Sequence, residues 1–144
     1  MNFARVAAAA VAAWVAYLPI GYIVNEILLS DLYAANAAAM RAPEEMNLPL
    51  GFAASLLGFF VFAYTYAKGY EGGSGVQEGV RFGVLVGFLL ICFATVWTYV
   101  TAPITSSLLF AWIVDVIVEF SIYGAIVGAI YRPVSAGARK VVSA

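Results

Sequence analysis

Histidine is absent from this chain of 144 residues, and cysteine occurs once, as Cys92. Without histidine, most haem, zinc and copper sites lose their usual ligand, and acid–base catalysis by an imidazole is excluded. A single cysteine excludes an intramolecular disulfide and any metal site built from clustered thiolates. The sequence therefore predicts no metal or haem, and it leaves the binding of a lipid, quinone or pigment open.

Charge is also scarce. Only 10% of the residues are charged, the formal net charge is −1, and 65% of the residues are hydrophobic. An average soluble domain has about 25% charged and roughly 45–50% apolar residues, so this composition is typical of a membrane protein. No dense basic cluster indicates nucleic acid. The composition predicts the lipid bilayer as a partner and no nucleic-acid partner.

Four apolar stretches are each long enough to cross the bilayer, which needs about 20 residues of helix. They cover about residues 5–29, 49–68, 78–101 and 105–131. The sequence thus predicts a single membrane domain over residues 1–144, an all-α bundle of four transmembrane helices. The first stretch follows a basic residue, as in a signal peptide, but its apolar run of about twenty residues favours a retained span.

The links between the predicted spans differ in composition. Ser30 and Asp31 favour the start of a short surface helix near residues 32–41, between spans one and two. Residues 68–77 contain the sequence EGGSG and predict a flexible link. Pro103 predicts a tight turn between spans three and four.

Basic residues predict the orientation of the spans. If four spans alternate, only Arg41 lies on one side of the membrane, and all other basic residues lie on the opposite side. The positive-inside rule then places both termini in the cytoplasm. The basic residues on the predicted cytoplasmic side are Arg5, Lys68, Arg81, Arg132, Arg139 and Lys140.

Glycines follow a helical spacing in two of the spans. Gly79, Gly83 and Gly87 recur every four residues in span three, and Gly124 and Gly128 do so in span four. Ridges of small residues let two helix backbones approach closely in lipid. The pattern favours a close pair formed by spans three and four, with contact to another subunit as the alternative.

Two acids interrupt the apolar sequence IVDVIVEF of span four. Asp115 and Glu119 are four residues apart and lie on one helix face, away from Gly124 and Gly128. An ionisable group at the bilayer centre costs about 2.5–3.5 kcal/mol at a lipid-facing position, so both acids should face protein or water. Span four thus has two faces that avoid lipid, which predicts surrounding helices from its own bundle or from a partner.

Depth along the helices predicts the neighbours of these acids. The hydroxyls of span three are expected to hydrogen-bond Asp115. Glu119 is expected to be protonated at neutral pH, because burial disfavours its charge and Arg81 is too distant in depth to pair with it. Arg81 is expected to pair with Glu78 or with lipid phosphate instead. The polar candidates besides Asp115 and Glu119 are Tyr17, Thr95, Thr98, Tyr99 and, near the outer end of span one, Glu26.

Three segments carry a resemblance to a known group of proteins. The sequences EGVRFGVLVGF, YVTAPI and IVEFSIYGAIVGAIYRP resemble small bacterial four-transmembrane-helix proteins of uncharacterised function, over about residues 51–133. The resemblance implies a four-helix bundle in the bacterial inner membrane. It implies no reaction and no binding residue.

The sequence leaves three classes of function open. The favoured hypothesis is an accessory or interaction subunit of a larger inner-membrane complex, in which the acids hold helices together or dock another subunit. The alternative is a small oligomeric transporter, or a proton- or cation-conducting protein, that uses the intramembrane carboxylates. A membrane enzyme is disfavoured, because the chain offers only carboxylates, tyrosines and one thiol as catalytic groups.

Overall fold

The structure, a computed structural model, describes residues 1–131. The predicted basic tail with Arg132, Arg139 and Lys140 lies outside these residues. All regular structure in the described part is helical. The prediction of four helices long and apolar enough to cross a membrane is confirmed. They are Phe3–Leu28, Leu48–Gly69, Gly75–Thr101 and Ser106–Ile130, called the first to fourth long helices below.

The first and third long helices each contain a wider turn. In chain order the elements are α1 (Phe3–Tyr22), a π-helical turn (Ile23–Leu28), α2 (Ser30–Ala35), two 3₁₀ turns (Ala37–Ala39 and Pro43–Glu45), α3 (Leu48–Gly69), α4 (Gly75–Leu90), a second π-helical turn (Ile91–Thr95), α5 (Val96–Thr101) and α6 (Ser106–Ile130). π-helical turns are rare and are frequent at functional sites. Both belong to long helices that flank α6.

Polar residues cap the start of three long helices. The side chains of Asn2, Asn47 and Thr105 accept hydrogen bonds from the backbone N–H groups of Arg5, Leu50 and Leu108. Such caps satisfy amide groups that have no partner inside the helix. The caps therefore fix the points at which α1, α3 and α6 begin.

The short helix between the first two long helices differs from the prediction in length and capping. α2 covers only Ser30–Ala35, and no side chain caps it. Ser30, predicted as a cap, donates instead to the carbonyl oxygen of Ile27. The buried Asn36 ends α2 and ties it to the turn before α6, since its Oδ1 accepts from the amide of Thr105 at 2.7 Å.

The glycine-rich link is held by hydrogen bonds, contrary to the predicted flexible link. The hydroxyl of Tyr66 donates to the Gly75 carbonyl at 2.9 Å, and the carboxylate of Glu78 accepts from the amides of Glu71 and Gly73. A carboxylate that accepts backbone amides orders a turn much as a helix cap does. Glu78 therefore serves the link, and it forms no ion pair with Arg81 within the described residues.

The helices pack in the order α3, α1, α6, α4. α1 contacts both α3 and α6, α6 contacts α4 most extensively, and direct contact between α3 and α4 is sparse. Ala9, Ala10 and Ala13 of α1 are fully buried, and aromatic side chains belong to the same core. Direct helix contact closes three sides of the bundle. The fourth side, between α3 and α4, is open except where the rings of Phe62 and Phe82 pack against each other.

Candidate functional site

The site begins with a hydrogen bond inside α6. The hydroxyl of Tyr123 donates to Oε2 of Glu119 at 2.7 Å, and the two side chains are 1% and 8% exposed. Residues four apart on a helix face each other, so the sequence itself brings this pair together. A buried carboxyl needs such a donor, because an unpaired one loses its hydration without compensation.

Asp115 lies one turn earlier on the same face of α6. Its carboxyl group lies close enough to that of Glu119 for the two to interact. No basic side chain forms an ion pair with either acid in residues 1–131. Two neighbouring carboxylates repel each other unless a proton lies between them, as in other paired carboxyl sites.

The two acids open toward different grooves. Asp115 is half-buried in an apolar groove between the π-helical turn Ile23–Leu28 and α6. Glu119 lies at the floor of a cleft of about 350 Å³ on the open side of the bundle. Residues from all four long helices line this cleft: Tyr17, Ser55, Gly58, Phe59, Val61, Phe62, Thr65, Phe82, Val86, Leu90, Glu119, Phe120 and Tyr123.

Most polar groups in the cleft already have partners. The hydroxyls of Ser55 and Thr65 donate to the carbonyls of Phe52 and Val61 in their own helix. Oε2 of Glu119 has its bond from Tyr123. Within residues 1–131, every fully buried side-chain nitrogen or oxygen has a hydrogen-bond partner. Because Oε1 accepts no bond from a nitrogen or hydroxyl donor, it is accessible rather than enclosed.

A second polar cluster lies at the predicted outer end. The hydroxyl of Tyr33 donates to Oδ1 of Asn25 at 2.6 Å and accepts from the indole of Trp112 at 2.9 Å. Burial raises the pKa of the Tyr33 hydroxyl, the bond from Trp112 lowers it, and the negative charge of nearby acids, Asp115 first, raises it again. Tyr33 therefore remains a neutral donor, and it links α2 to the first and fourth long helices.

The structure brings only part of the predicted polar set together. Tyr17 joins Glu119 and Tyr123, with the two tyrosine rings 6.2 Å apart. The expected bonds from span three to Asp115 are not formed. The hydroxyl of Thr98 donates to the Ala94 carbonyl instead, and in the described part of the chain no bond joins Thr95 or Tyr99 to Asp115.

Glu26 and Cys92 lie away from the centre of the site. Glu26 is exposed on the first π-helical turn. Cys92 is exposed on the second π-helical turn. Neither lines the cleft around Glu119.

The glycines of α4 face α6. A Cβ on Gly79 would overlap the carbonyl oxygen of Gly124, and one on Gly83 would overlap that of Phe120. Gly128 likewise lies against the carbonyl of Gly75. Gly87 is less tight, since a Cβ there would lie 3.2 Å from the Val116 carbonyl oxygen. The glycine face and the acid face of α6 thus both contact helices of the same chain.

Sequence reasoning missed several polar contacts between distant residues. The indole of Trp14 donates to Ser55 at 3.0 Å, which joins α1 to α3, and Asn36 reaches Thr105 across the bundle. The only signal for Asn36 was an amide side chain within an alanine-rich segment, which does not identify its partner. For Tyr123, the spacing from Glu119 was available and indicated the bond.

Comparison of the chain with protein families, curated proteins and solved structures gave no match. The resemblance to small bacterial four-helix proteins therefore stays a prediction. Among residues 1–131, no group of three Cys, Asp or Glu side chains converges as a metal site would require. The arrangement offers a carboxyl pair, a hydroxyl donor and an apolar cleft rather than a nucleophile with its base.

Proposed function

We propose that this chain is a four-span integral protein of the bacterial inner membrane and an accessory subunit of a larger membrane complex. The proposal of an accessory role rests on one observation. Asp115 lies half-buried in an apolar groove between the first and fourth long helices, beside a second acid and without a basic partner in the described residues. A carboxyl at such a position is costly in lipid unless another helix supplies a donor.

The partner that fits this groove is a membrane helix with a lysine or arginine. The walls are the side chains of Val24, Leu28, Phe110, Val114 and neighbouring apolar residues, which suit the apolar face of a helix. A basic side chain would neutralise the acid pair and satisfy Asp115. The glycine ridges no longer argue for a partner, because α4 and α6 use them against each other.

The helix order supports the proposed orientation. In four antiparallel helices, the start of α1, the end of α3 and the start of α4 lie at one end, and these segments carry Arg5, Lys68 and Arg81. Arg41 belongs to the link at the opposite end. This distribution favours a cytoplasmic position for the basic end.

Site-specific cross-linking in native membranes tests the accessory role. A photoreactive residue at Val114 in the groove should yield one defined adduct with another membrane protein, whereas the same residue at Leu85 should not. The two positions are matched in exposure, at 63% and 65%. Asp115→Asn should weaken the Val114 adduct, and Asp31→Asn, at an exposed acid of α2, should leave it unchanged. An adduct only with a second copy of this chain, or equal adducts at both positions, would contradict the proposal.

A second candidate, a proton-conducting oligomer, is favoured by the contact between Asp115 and Glu119. Paired intramembrane carboxyls form proton relays in pumps and transporters. Liposomes that contain the purified protein alone would then acidify under a membrane potential, and Glu119→Gln would abolish this flux. No flux from wild-type protein, together with stoichiometric copurification of a larger complex, would eliminate this candidate.

A further inference from the structure

The cleft between α3 and α4 is shaped to admit a molecule from the bilayer. Its volume of about 350 Å³ lies within the usual range of small-molecule sites, about 300–1,000 Å³. Its rim contains the exposed residues Gly58, Val61 and Leu90, and its floor contains the buried Phe59 and Tyr123. Because the opening lies between two long apolar helices, a ligand dissolved in lipid reaches the floor without crossing water.

The floor offers a specific polar contact. Oε1 of Glu119 and the hydroxyl of Tyr17 accept no hydrogen bond from an amide, indole or hydroxyl group of a described residue, whereas the hydroxyls of Ser55, Thr65 and Tyr123 donate to carbonyl or carboxylate oxygens. A carboxylate oxygen accepts. The matching ligand therefore brings a hydroxyl donor to the floor, and Tyr17 can serve a second ligand oxygen.

Aromatic rings dominate the cleft wall. The Phe59 and Tyr123 rings pack edge to face with their centroids 5.0 Å apart. The centroids of the Phe62 and Phe82 rings lie 4.8 Å apart across the gap between α3 and α4. Aromatic side chains pack well against the face or edge of another ring. The rings of the wall are those of Tyr17, Phe59, Phe62, Phe82, Phe120 and Tyr123.

We propose that this cleft binds a lipid quinol, that is, a hydroxyl-bearing aromatic ring on a long apolar chain. A ring hydroxyl donates to Glu119, the ring packs against the aromatic side chains of the cleft wall, and the chain leaves between α3 and α4 into the bilayer. The proposal concerns binding alone and includes no electron transfer. It does not depend on the accessory role, because the groove beside Asp115 and this cleft have no lining residue in common.

A column of water or ions fits this cleft poorly. Most of its lining residues are phenylalanine, valine, leucine or glycine, and the serine and threonine hydroxyls donate to carbonyls of their own helix. A hydrated ion in such surroundings would lose most of its polar contacts. A plain acyl chain could fill the cleft, but it would leave Glu119 without a donor from the ligand.

Two glycines of α3 provide a matched test of the cleft. A Cβ at Gly58 or at Gly51 meets nothing within 4 Å, so a larger side chain fits at either position without moving a helix. Gly58 lines the cleft and Gly51 does not. Gly58→Leu should fill the cleft, and Gly51→Leu is its control.

The experiment measures equilibrium binding of decylubiquinol, kept under nitrogen, to the protein in lipid nanodiscs. Wild type and Gly51→Leu should bind it equally, and Gly58→Leu should lose binding. Glu119→Gln should weaken binding by about tenfold, because the amide oxygen would keep the bond from Tyr123 and the amide NH₂ group cannot accept a bond from the ligand. The dimethyl ether of the same ring, which lacks a donor, should bind wild type about tenfold less tightly than the quinol does.

Three results would overturn the proposal. Equal binding of the quinol and its ether, both lost in Gly58→Leu, would show a non-specific apolar groove of the kind that an acyl chain fills. Equal quinol binding by the two glycine variants would place the ligand elsewhere. Absence of binding to wild-type protein, with intact helix content and a monodisperse nanodisc, would show that the cleft takes no quinol.

Discussion

At the scale of single residues, the bundle concentrates its polar chemistry on a few side chains of α6 and of the segment before α3. Tyr123 donates to one Glu119 oxygen, Asp115 lies close to the same carboxyl group, and Asn36 connects two links that are distant in sequence. These contacts are buried or partly buried. Loss of one partner should therefore be costly, because the other partner would be left without its bond.

Tyr123→Phe should lower the free energy of unfolding by about 1–3 kcal/mol, since it removes the hydroxyl that donates to Glu119. The measurement is denaturant unfolding in detergent micelles, with Tyr22→Phe as the control. The hydroxyl of Tyr22 is exposed and makes no hydrogen bond within residues 1–131. In a double-mutant cycle with Glu119→Gln, additive losses would show that the two side chains do not interact.

Asn36→Ala should detach the segment before α3 from the turn before α6. The side chain accepts from the Thr105 amide at 2.7 Å and donates to the Leu32 carbonyl at 2.7 Å. Hydrogen exchange at the Thr105 amide should therefore become faster, whereas exchange in the middle of α6 should not change. An unchanged Thr105 rate would show that this bond contributes no protection.

At the scale of helices, the pair α4 and α6 is defined by backbone contact. Gly79 and Gly124 lie against each other's carbonyl oxygens, and Gly83 lies against that of Phe120. Such closeness requires the absence of a Cβ at Gly79, Gly83 and Gly124. In lipid, where apolar burial between helices contributes little, packing of this kind is a main source of association.

Gly83→Ala should therefore force α4 and α6 apart and lower the free energy of unfolding by about 1–3 kcal/mol or more, as overpacked substitutions do. Gly51→Ala, at a glycine of α3 with free space around it, should cause no loss. The comparison uses the same unfolding assay for both variants. Equal stability of the two would show that the close contact is dispensable.

Hydropathy predicted the four long helices, and glycine spacing predicted the close pair of α4 and α6, but the partners of the polar side chains were predicted poorly. A run of about twenty apolar residues determines the existence of a helix, and a period of 3.6 residues determines which side chains share its face. Neither determines which helix lies opposite. Thr98 matched Asp115 in depth, yet its hydroxyl bonds to Ala94 of its own helix. The cleft depended on four helices at once, so no local pattern in the sequence indicated it.

At the scale of the whole molecule, α1 is the central helix. It separates α3 from α6, and this separation leaves the cleft on the side toward α4. Small side chains make this position possible, because Ala9, Ala10 and Ala13 are fully buried and add little width. The arrangement gives the bundle a firm α4–α6 pair and a more loosely held α3.

The orientation of the whole molecule gives a further prediction. Alkaline phosphatase folds to its active form only outside the cytoplasm. The enzyme fused after Pro103, on the predicted outer side, should therefore be active, and the enzyme fused after Gly72, on the predicted cytoplasmic side, should be inactive. Fluorescent-protein fusions at these two sites should give the opposite result. Active phosphatase at Gly72 would reverse the orientation that the basic residues predict.

The bond between Asn36 and Thr105 has a consequence for biosynthesis. The two residues are 69 positions apart, and α6 begins directly after Thr105. During translation, the segment before α3 therefore remains without its partner until the second half of the chain has been made. Insertion of the last two long helices then completes the tertiary contacts of the first two. A truncated nascent chain would lack these contacts and would be a substrate for proteases that degrade misfolded membrane proteins.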